Sequence, residues 1–214
     1  MDSQGLQRLA PLTGIAFVVL VVVAVVVGGE TPDNDDSLRS IVAFWKDNEG
    51  EQIASSLIAA WGVVFFVWFA ASLRSALRLA EVGPARLSAL SFGGAIIGAV
   101  GLLSSLSLAF AAADTVGDVP PVVTQTFTIL GNEFFLPIAA GYAIFFLAIG
   151  VLTVRTRVLP AWLGWPALLI GVACVTPIGF FALLVGLVWI LIVSVMLYQR
   201  AGQPAPANPA STTA

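Results

Sequence analysis

Histidine is absent from this 214-residue chain, and cysteine occurs once, as Cys174. Without histidine the chain has no imidazole-ligated haem, no zinc site built on histidine and no catalytic triad with an imidazole base. A single cysteine excludes an internal disulfide and a cage of several thiolates around a metal. We therefore expect neither a cofactor nor a metal site.

Charge is also scarce. Charged residues make up 10% of the chain, hydrophobic residues 59%, and the mean hydropathy is +1.00. Soluble domains carry roughly 25% charged residues, so a water-soluble particle of this size would be unable to cover its surface. The composition therefore predicts a protein whose solvent is the lipid bilayer, with membrane lipids as its partners. No basic block suggests binding to nucleic acid.

The usual sequence motifs of enzymes are missing as well. We find no Walker loop, dinucleotide fingerprint, Gly-x-Ser-x-Gly elbow or zinc motif. An enzyme without them would need acids or nucleophiles gathered within the membrane, and only Asp114 and Glu133 come near this requirement. We predict that the chain is not an enzyme.

Long apolar runs predict an all-α bundle of six transmembrane helices, because a spanning helix needs about 20 mostly apolar residues. The first run has Arg8 before it and Gly28-Gly29 after it, as in a signal peptide, but it is long for one and lacks an Ala-x-Ala site. The stretch 161–198 would form a helix of about 57 Å, so we expect a hairpin with its tip at Thr176-Pro177. The predicted spans, within a domain of residues 1–201, are 11–28, 53–73, 87–113, 132–154, 160–175 and 178–198. The tail, residues 202–214, is predicted to be disordered.

Positive charges predict the topology. Seven of the nine fall in alternate gaps between the apolar runs, whereas Arg39 and Lys46 stand among most of the acids. Short loops rich in arginine stay in the cytoplasm, so we expect both termini there. Arginine outnumbers lysine eight to one amid abundant Ala and Val, which favours a bacterial inner membrane. Five of these arginines are expected to contact anionic headgroups, for about 1 kcal/mol each: Arg74, Arg78, Arg86, Arg155 and Arg157.

A polar loop between the first two spans contains a short amphipathic pattern. Leu38, Ile41, Val42 and Trp45 recur at helical spacing. The pattern predicts an outer amphipathic helix over residues 37–49, lying either on the outer leaflet or over the bundle.

The opening of the predicted fourth span carries a polar cluster, from which Gln125, Asn132 and Glu133 are selected as a candidate polar membrane site. Pro137 cannot donate a backbone hydrogen bond, so the carbonyl of Glu133 is left free. A carboxylate beside a free carbonyl can bind a proton, a cation or a polar headgroup. Alternatively, Glu133 is hydrated at the outer interface and only starts the helix, where negative charge is favourable.

The predicted third span has a face of small residues that includes Gly94, Gly98 and Gly101. Glycines at this spacing allow two helix backbones to approach closely. The face predicts packing against a neighbouring helix of the same chain, with a homodimer seam or a polar permeation path as alternatives.

Two stretches carry a resemblance to a known family. They are IVAFW at 41–45, leading through Asp47-Asn48 to LRSALR at 73–78, and RTRVLPAWLGW at 155–165. They resemble small six-helix membrane proteins of actinobacteria from a domain-of-unknown-function family, and the resemblance implies architecture but no functional residue. The leading hypothesis is a non-enzymatic accessory or lipid-interacting membrane component. The alternative is a small transporter or channel for a proton, cation or small molecule.

Overall fold

The computed structural model describes residues 10–201, and all regular secondary structure within them is helical. Arg8 and the tail 202–214 lie outside the described residues. A 3₁₀ turn, Ala10–Leu12, precedes α1 (Thr13–Gly28), α2 (Leu38–Asp47), α3 (Glu49–Ala80), α4 (Arg86–Asp114), α5 (Pro121–Glu133), α6 (Phe135–Thr156), α7 (Ala161–Cys174) and α8 (Gly179–Ala201).

Within residues 10–201, five stretches are long and apolar enough to cross a membrane: Ala10–Gly28, Glu49–Ala80, Arg86–Asp114, Pro121–Thr156 and Gly179–Arg200. The sixth apolar helix, α7, has 14 residues. At 1.5 Å per residue it is about 21 Å long, which is shorter than a hydrocarbon core of about 30 Å. The prediction of an all-α, membrane-type helical bundle is confirmed.

The six apolar helices form a closed ring that follows the chain order. Helix α1 packs on α3, α3 on α4, α4 on α6, α6 on α7 and α7 on α8, and α8 returns to α1. The two remaining helices, α2 and α5, lie outside this ring and pack mainly on each other and on α4. A ring of this kind gives each apolar helix two neighbours, so each buries two strips of its surface and leaves the rest for lipid.

Aromatic side chains fill the middle of the ring. The Phe66 ring centroid lies 4.9 Å from that of Phe17 and 5.3 Å from that of Tyr142, and the centroids of Phe146 and Trp189 are 5.4 Å apart. With Phe145, these residues are nearly or fully buried and belong to one continuous hydrophobic cluster. Tilted and edge-on aromatic pairs at these distances add to the stability gained by burial. We call this group the aromatic core.

The two ends of the ring differ in charge. The 3₁₀ turn packs on α3 and α8, and Gly14 lies beside Phe69 and Ser194. The start of α1 therefore lies close to the carboxyl-terminal halves of α3 and α8. We call this end, which carries the five predicted headgroup arginines, the arginine end. The opposite end, with the loop 29–37, α2 and α5, is the acidic end.

A carboxylate closes the turn between α3 and α4 at the arginine end. Glu81 accepts hydrogen bonds from the backbone N–H of Leu87 (2.8 Å) and of Ser88 (3.0 Å), in the first turn of α4. Desolvation alone would raise the pKa of Glu81, but the hydrogen bonds from Ser88 and Leu87 and the charge of Arg78 together lower it below its ordinary value. This cap was not predicted from the sequence.

The region before the fourth predicted span differs from its prediction. Residues 132–154 were expected to be a single span, but a separate helix, α5, begins at Pro121 and ends at Glu133. Proline suits the first position of a helix because its fixed φ is already helical and its missing N–H has no partner there. The break falls at Phe134, three residues before Pro137, which cannot donate to the carbonyl of Glu133.

Candidate functional site

Helix α2 covers the acidic end of the bundle. The Ser37 side chain caps its start by accepting a hydrogen bond from the Ser40 N–H (3.2 Å). Ile41 and Trp45 are buried, in one hydrophobic cluster with Ala112 and Ala113 of α4. The structure therefore places the predicted amphipathic helix over the bundle.

One hydrogen bond anchors α2 to α5. The Trp45 indole N–H donates to the Thr128 hydroxyl over 2.8 Å, and that hydroxyl donates to the Thr124 carbonyl over 3.0 Å. All three residues are buried. A buried indole N–H requires a partner, so this bond fixes both the position and the orientation of Trp45.

The loop 29–37 is attached to the end of α5 through Asn34. Its amide nitrogen donates to the Glu133 carboxylate (3.2 Å), and its amide oxygen accepts from the Asn132 amide (2.8 Å). Asn132 also donates to the Pro32 carbonyl over 3.3 Å. Glu133 is exposed, so its carboxylate contacts a surface loop rather than the interior of the bundle.

A cavity of about 250 Å³ lies beneath this cover. It is enclosed by the end of α1, the start of α3, the middle of α4, and parts of α2 and α5. No charged side chain of the described residues lines it. Its polar lining residues are Thr31, Trp45, Gln52, Ser55, Ser56, Ser105, Thr128 and Asn132.

Several of these polar groups are already used by the fold. Gln52 Nε2 donates to the Gly28 carbonyl, Ser55 Oγ donates to the Ala24 carbonyl (2.8 Å), and Ser105 Oγ donates to the Gly131 carbonyl (2.9 Å). These bonds connect α1 to α3 and α4 to α5. They satisfy backbone carbonyls that would otherwise be exposed at a helix end or to the cavity.

Two polar atoms at the cavity have no partner among the described residues. Gln52 is only 3% exposed and Ser56 only 5%. Both residues line the cavity, and within residues 10–201 neither Gln52 Oε1 nor Ser56 Oγ takes part in a side-chain hydrogen bond. Polar atoms that belong to cavity-lining residues and have no protein partner can bond to a guest molecule, so these two atoms offer binding positions.

The cavity has a closed floor and an open side. Val21 and Leu102 line its deep end and pack on the hydrophobic cluster that contains the aromatic core. Ser56 and Leu106 line both this cavity and a second space of about 280 Å³, a groove between α3 and α4 formed mainly by apolar side chains. The cavity and the groove therefore adjoin each other at Ser56 and Leu106, between α3 and α4.

The predicted polar site is only partly assembled around this cavity. Asn132 lines it, Glu133 is held outside by Asn34, and Gln125 lies on α5 away from it, with no side-chain hydrogen bond to either. Gln52 and Ser56 were not among the predicted site residues. Their signal was present, because Gln52, just before the predicted span 53–73, and Ser56 within it are four residues apart and share one helix face.

The glycine face of α4 meets α6 of the same chain. A Cβ added to Gly94 would lie 2.5 Å from the Phe145 nitrogen, and one on Gly101 would lie 2.9 Å from the Ile138 nitrogen. Gly98 is similarly close to Tyr142. These glycines are covered by α6, so they are not free to form a seam between two copies.

All five predicted headgroup arginines are exposed at the arginine end. Arg74 lies over the Phe92 ring, 5.4 Å from its centroid, and Arg78 donates to the Glu81 carbonyl over 3.4 Å. Arg86 begins α4, Arg155 lies in the last turn of α6, and Arg157 follows that helix. Their charged groups are available to headgroups.

Comparisons with protein-family models, with curated proteins and with solved structures found no match to this chain. The resemblance to small actinobacterial membrane proteins therefore stays a prediction. Among the residues that the structure describes, no group of three or more acids and cysteines lies close enough together to hold a metal ion.

Proposed function

We propose that this chain is a six-span protein of a bacterial plasma membrane, with both termini in the cytoplasm, that acts as a non-enzymatic accessory or lipid-interacting component. We also propose that the chain is related to the small six-helix actinobacterial membrane proteins that it resembles. The alternate placement of the arginines supports the orientation, since short arginine-rich loops remain in the cytoplasm.

The position of α7 supports six crossings despite its length. Gly164 lies beside Thr153 near the arginine end, Gly150 beside Leu168, and Gly171 beside Leu147. Helix α7 thus runs antiparallel to α6. At the far end, a Cβ on Gly179 would lie 3.1 Å from the Phe135 ring, at the first residue of α6. Helix α7 and the turn that follows it therefore extend across the same depth of the bundle as α6.

The observation that carries the function is the closed floor of the cavity. A transporter needs a site that opens to each side of the membrane in turn. Here the aromatic core, with Phe66 and Phe146 fully buried, lies between the cavity and the arginine end. A cavity that lies beneath α2 and adjoins the groove between α3 and α4, above a packed floor, suits holding a membrane molecule more than passing a solute.

Flux and lipid retention test the proposal together. Purified protein in liposomes is expected to carry no proton or cation flux above that of empty liposomes. Native mass spectrometry is expected to find anionic lipid retained, with less of it on the double variant Arg155→Ala/Arg157→Ala. Flux that depends on protein dose would overturn the accessory function.

A small transporter is the second candidate, favoured by Asn132 at the cavity and by the Asn34–Glu133 contact at its rim. The matched variants are Glu133→Gln and Asp118→Asn, because Asp118 is an exposed acid in the α4–α5 connection at the same end. Under this alternative only Glu133→Gln lowers proton or cation flux. If neither variant changes the flux, Glu133 has no part in transport.

A further inference from the structure

We propose that the cavity at the acidic end binds the uncharged, hydroxyl-bearing head of a neutral lipid, whose chain leaves through the groove between α3 and α4. This inference rests on the proposed lipid-interacting function and names the class of lipid. Monoacylglycerols and diacylglycerols are lipids of this chemistry.

The charge of the head follows from the lining. No charged side chain of the described residues lines the cavity, and Glu133, the nearest acid in sequence to the lining residue Asn132, is bound to Asn34 at the surface. A charged group moved from water into such a space would lose its hydration without gaining a counter-charge. Phosphate, carboxylate and ammonium heads are therefore disfavoured.

The need for a hydroxyl follows from Gln52. Its amide orientation is assigned by the contact between Nε2 and the Gly28 carbonyl, because only the nitrogen can donate to a carbonyl. The other atom, Oε1, is then an acceptor on a residue that lines the cavity, and it can accept a hydrogen bond from a donor of the guest molecule. A head with only ester or ketone oxygens has no donor for it, whereas a hydroxyl does.

Ser56 provides the second contact. It lies four residues after Gln52, so the two side chains share a face of α3, about 5–6 Å apart at Cβ. The Ser56 hydroxyl can donate and accept, and it has no partner among the described residues, so both functions are available to the ligand. Two adjacent hydroxyls of a glycerol head match two polar positions at this spacing.

The size and the exit agree with a lipid head rather than a whole lipid. An apolar cavity of about 150 Å³ binds benzene, so 250 Å³ holds a glycerol head with room to spare. The chain cannot continue inwards because Val21 and Leu102 rest on the aromatic core. Past Ser56 and Leu106, however, the groove offers Ala60, Leu103 and Phe110 as an apolar surface.

The test uses protein in phosphatidylcholine nanodiscs containing either monoolein or methyl oleate at equal mole fraction. The two lipids share a chain, but only monoolein carries hydroxyls. Native mass spectrometry is expected to show about ten-fold more monoolein than methyl oleate retained, as two hydrogen bonds of modest net strength allow. Equal retention of the two lipids would overturn the inference.

Variants locate the binding. Ser56→Ala removes a hydroxyl that supports no other part of the fold and should lower monoolein retention about five-fold. The matched control is Ser72→Ala in the same helix, whose hydroxyl bonds to the Trp68 carbonyl away from the cavity. Unchanged retention in Ser56→Ala would contradict the proposed site.

Ala60→Phe tests the exit of the chain. A phenyl ring in the groove should lower monoolein retention while the unfolding temperature stays at the wild-type value; full retention would contradict this route. The two proposals fail separately. Ion flux in liposomes would overturn the accessory function, whereas retention of anionic lipid without preference for monoolein would overturn only the neutral-lipid site.

Discussion

The two halves of the bundle are stabilised in different ways. Towards the arginine end and the middle, stability comes from continuous contact: aromatic rings fill the ring of helices, and Gly94 and Gly98 bring α4 against α6. At the acidic end, a few hydrogen bonds and one small hydrophobic cluster hold a cover over an unfilled space. A tightly packed interior does not yield locally, whereas a cover on a few anchors can open without disturbing the rest.

This difference matches the proposed function. A site that must admit a lipid head needs an opening and an unfilled volume, and both occur at the acidic end. The packed half supplies a rigid support, because the floor residues Val21 and Leu102 rest on it. Damage to the cover is therefore expected to remain local, whereas damage to the packed half is expected to affect the whole chain.

Trp45→Ala is expected to have the largest effect. Removal of a buried tryptophan costs about 3–5 kcal/mol, here of the local stability of α2. Hydrogen exchange within 38–47 should become much faster, while exchange in α6 and the global unfolding midpoint change little. Trp61→Ala, at an exposed site on α3, is the control and should leave exchange in α2 unchanged. A large fall in the global midpoint would contradict the local character of the cover.

Gly94→Ala tests the packed half. Its new Cβ would meet backbone atoms of Phe145 and Gly141 at 2.5 and 2.7 Å, which cannot move independently of their helix. Overpacking of this kind costs about 1–3 kcal/mol. The adjacent Gly93 has nothing within 4 Å of its added Cβ, so Gly93→Ala should be neutral or slightly stabilising. Equal unfolding midpoints for the two variants in detergent would disprove the close α4–α6 contact.

Glu81→Gln weakens the cap on α4 and should destabilise the protein by about 1 kcal/mol at neutral pH. The pKa of Glu81 is lowered in the folded state, so its contribution is fully present above the ordinary value of 4.5 and is lost as pH falls through the folded pKa. Unfolding midpoints measured from pH 7 to pH 3 should therefore converge for wild type and variant at the acidic limit. A constant difference at every pH would exclude the carboxylate as its source.

Asn34→Ala is expected to have the smallest effect, about 0.5–1 kcal/mol confined to the loop 29–37, because its hydrogen bonds are exposed. Faster hydrogen exchange in that loop, with no change in α3 or α4, is the expected result. Asp35→Ala is the control, since Asp35 is exposed and forms no side-chain hydrogen bond found among the described residues. Equal exchange in both variants would remove Asn34 as an anchor.

The apolar helices were predictable because the local sequence encodes each of them, through a run of apolar residues bounded by polar residues or glycine. Helix α5 was not, because its Pro-Pro start and polar composition are typical of a loop, and only its packing on α2 and α4 makes it a stable helix. Tertiary contacts thus override the local pattern there.

The candidate site was harder to predict than the fold. Sequence reasoning ranks polar residues by their cost in the membrane, which drew attention to Glu133 and away from uncharged Gln52 and Ser56. The partner of Glu133, Asn34, lies 99 residues away in the chain, and so does not appear in any local pattern. A cavity is a property of several helices together, and its lining is visible only once they are assembled.

The contact between α4 and α6 has a consequence for biosynthesis. Tyr142 is made 44 residues after Gly98. At 5–20 residues per second, the glycine face of α4 is therefore made roughly 2–9 s before the residue of α6 that packs on it. During that interval the newly inserted α4 presents bare glycine backbone to its surroundings. The membrane insertion machinery, or a lipid chain, must cover the glycine face of α4 before α6 emerges from the ribosome.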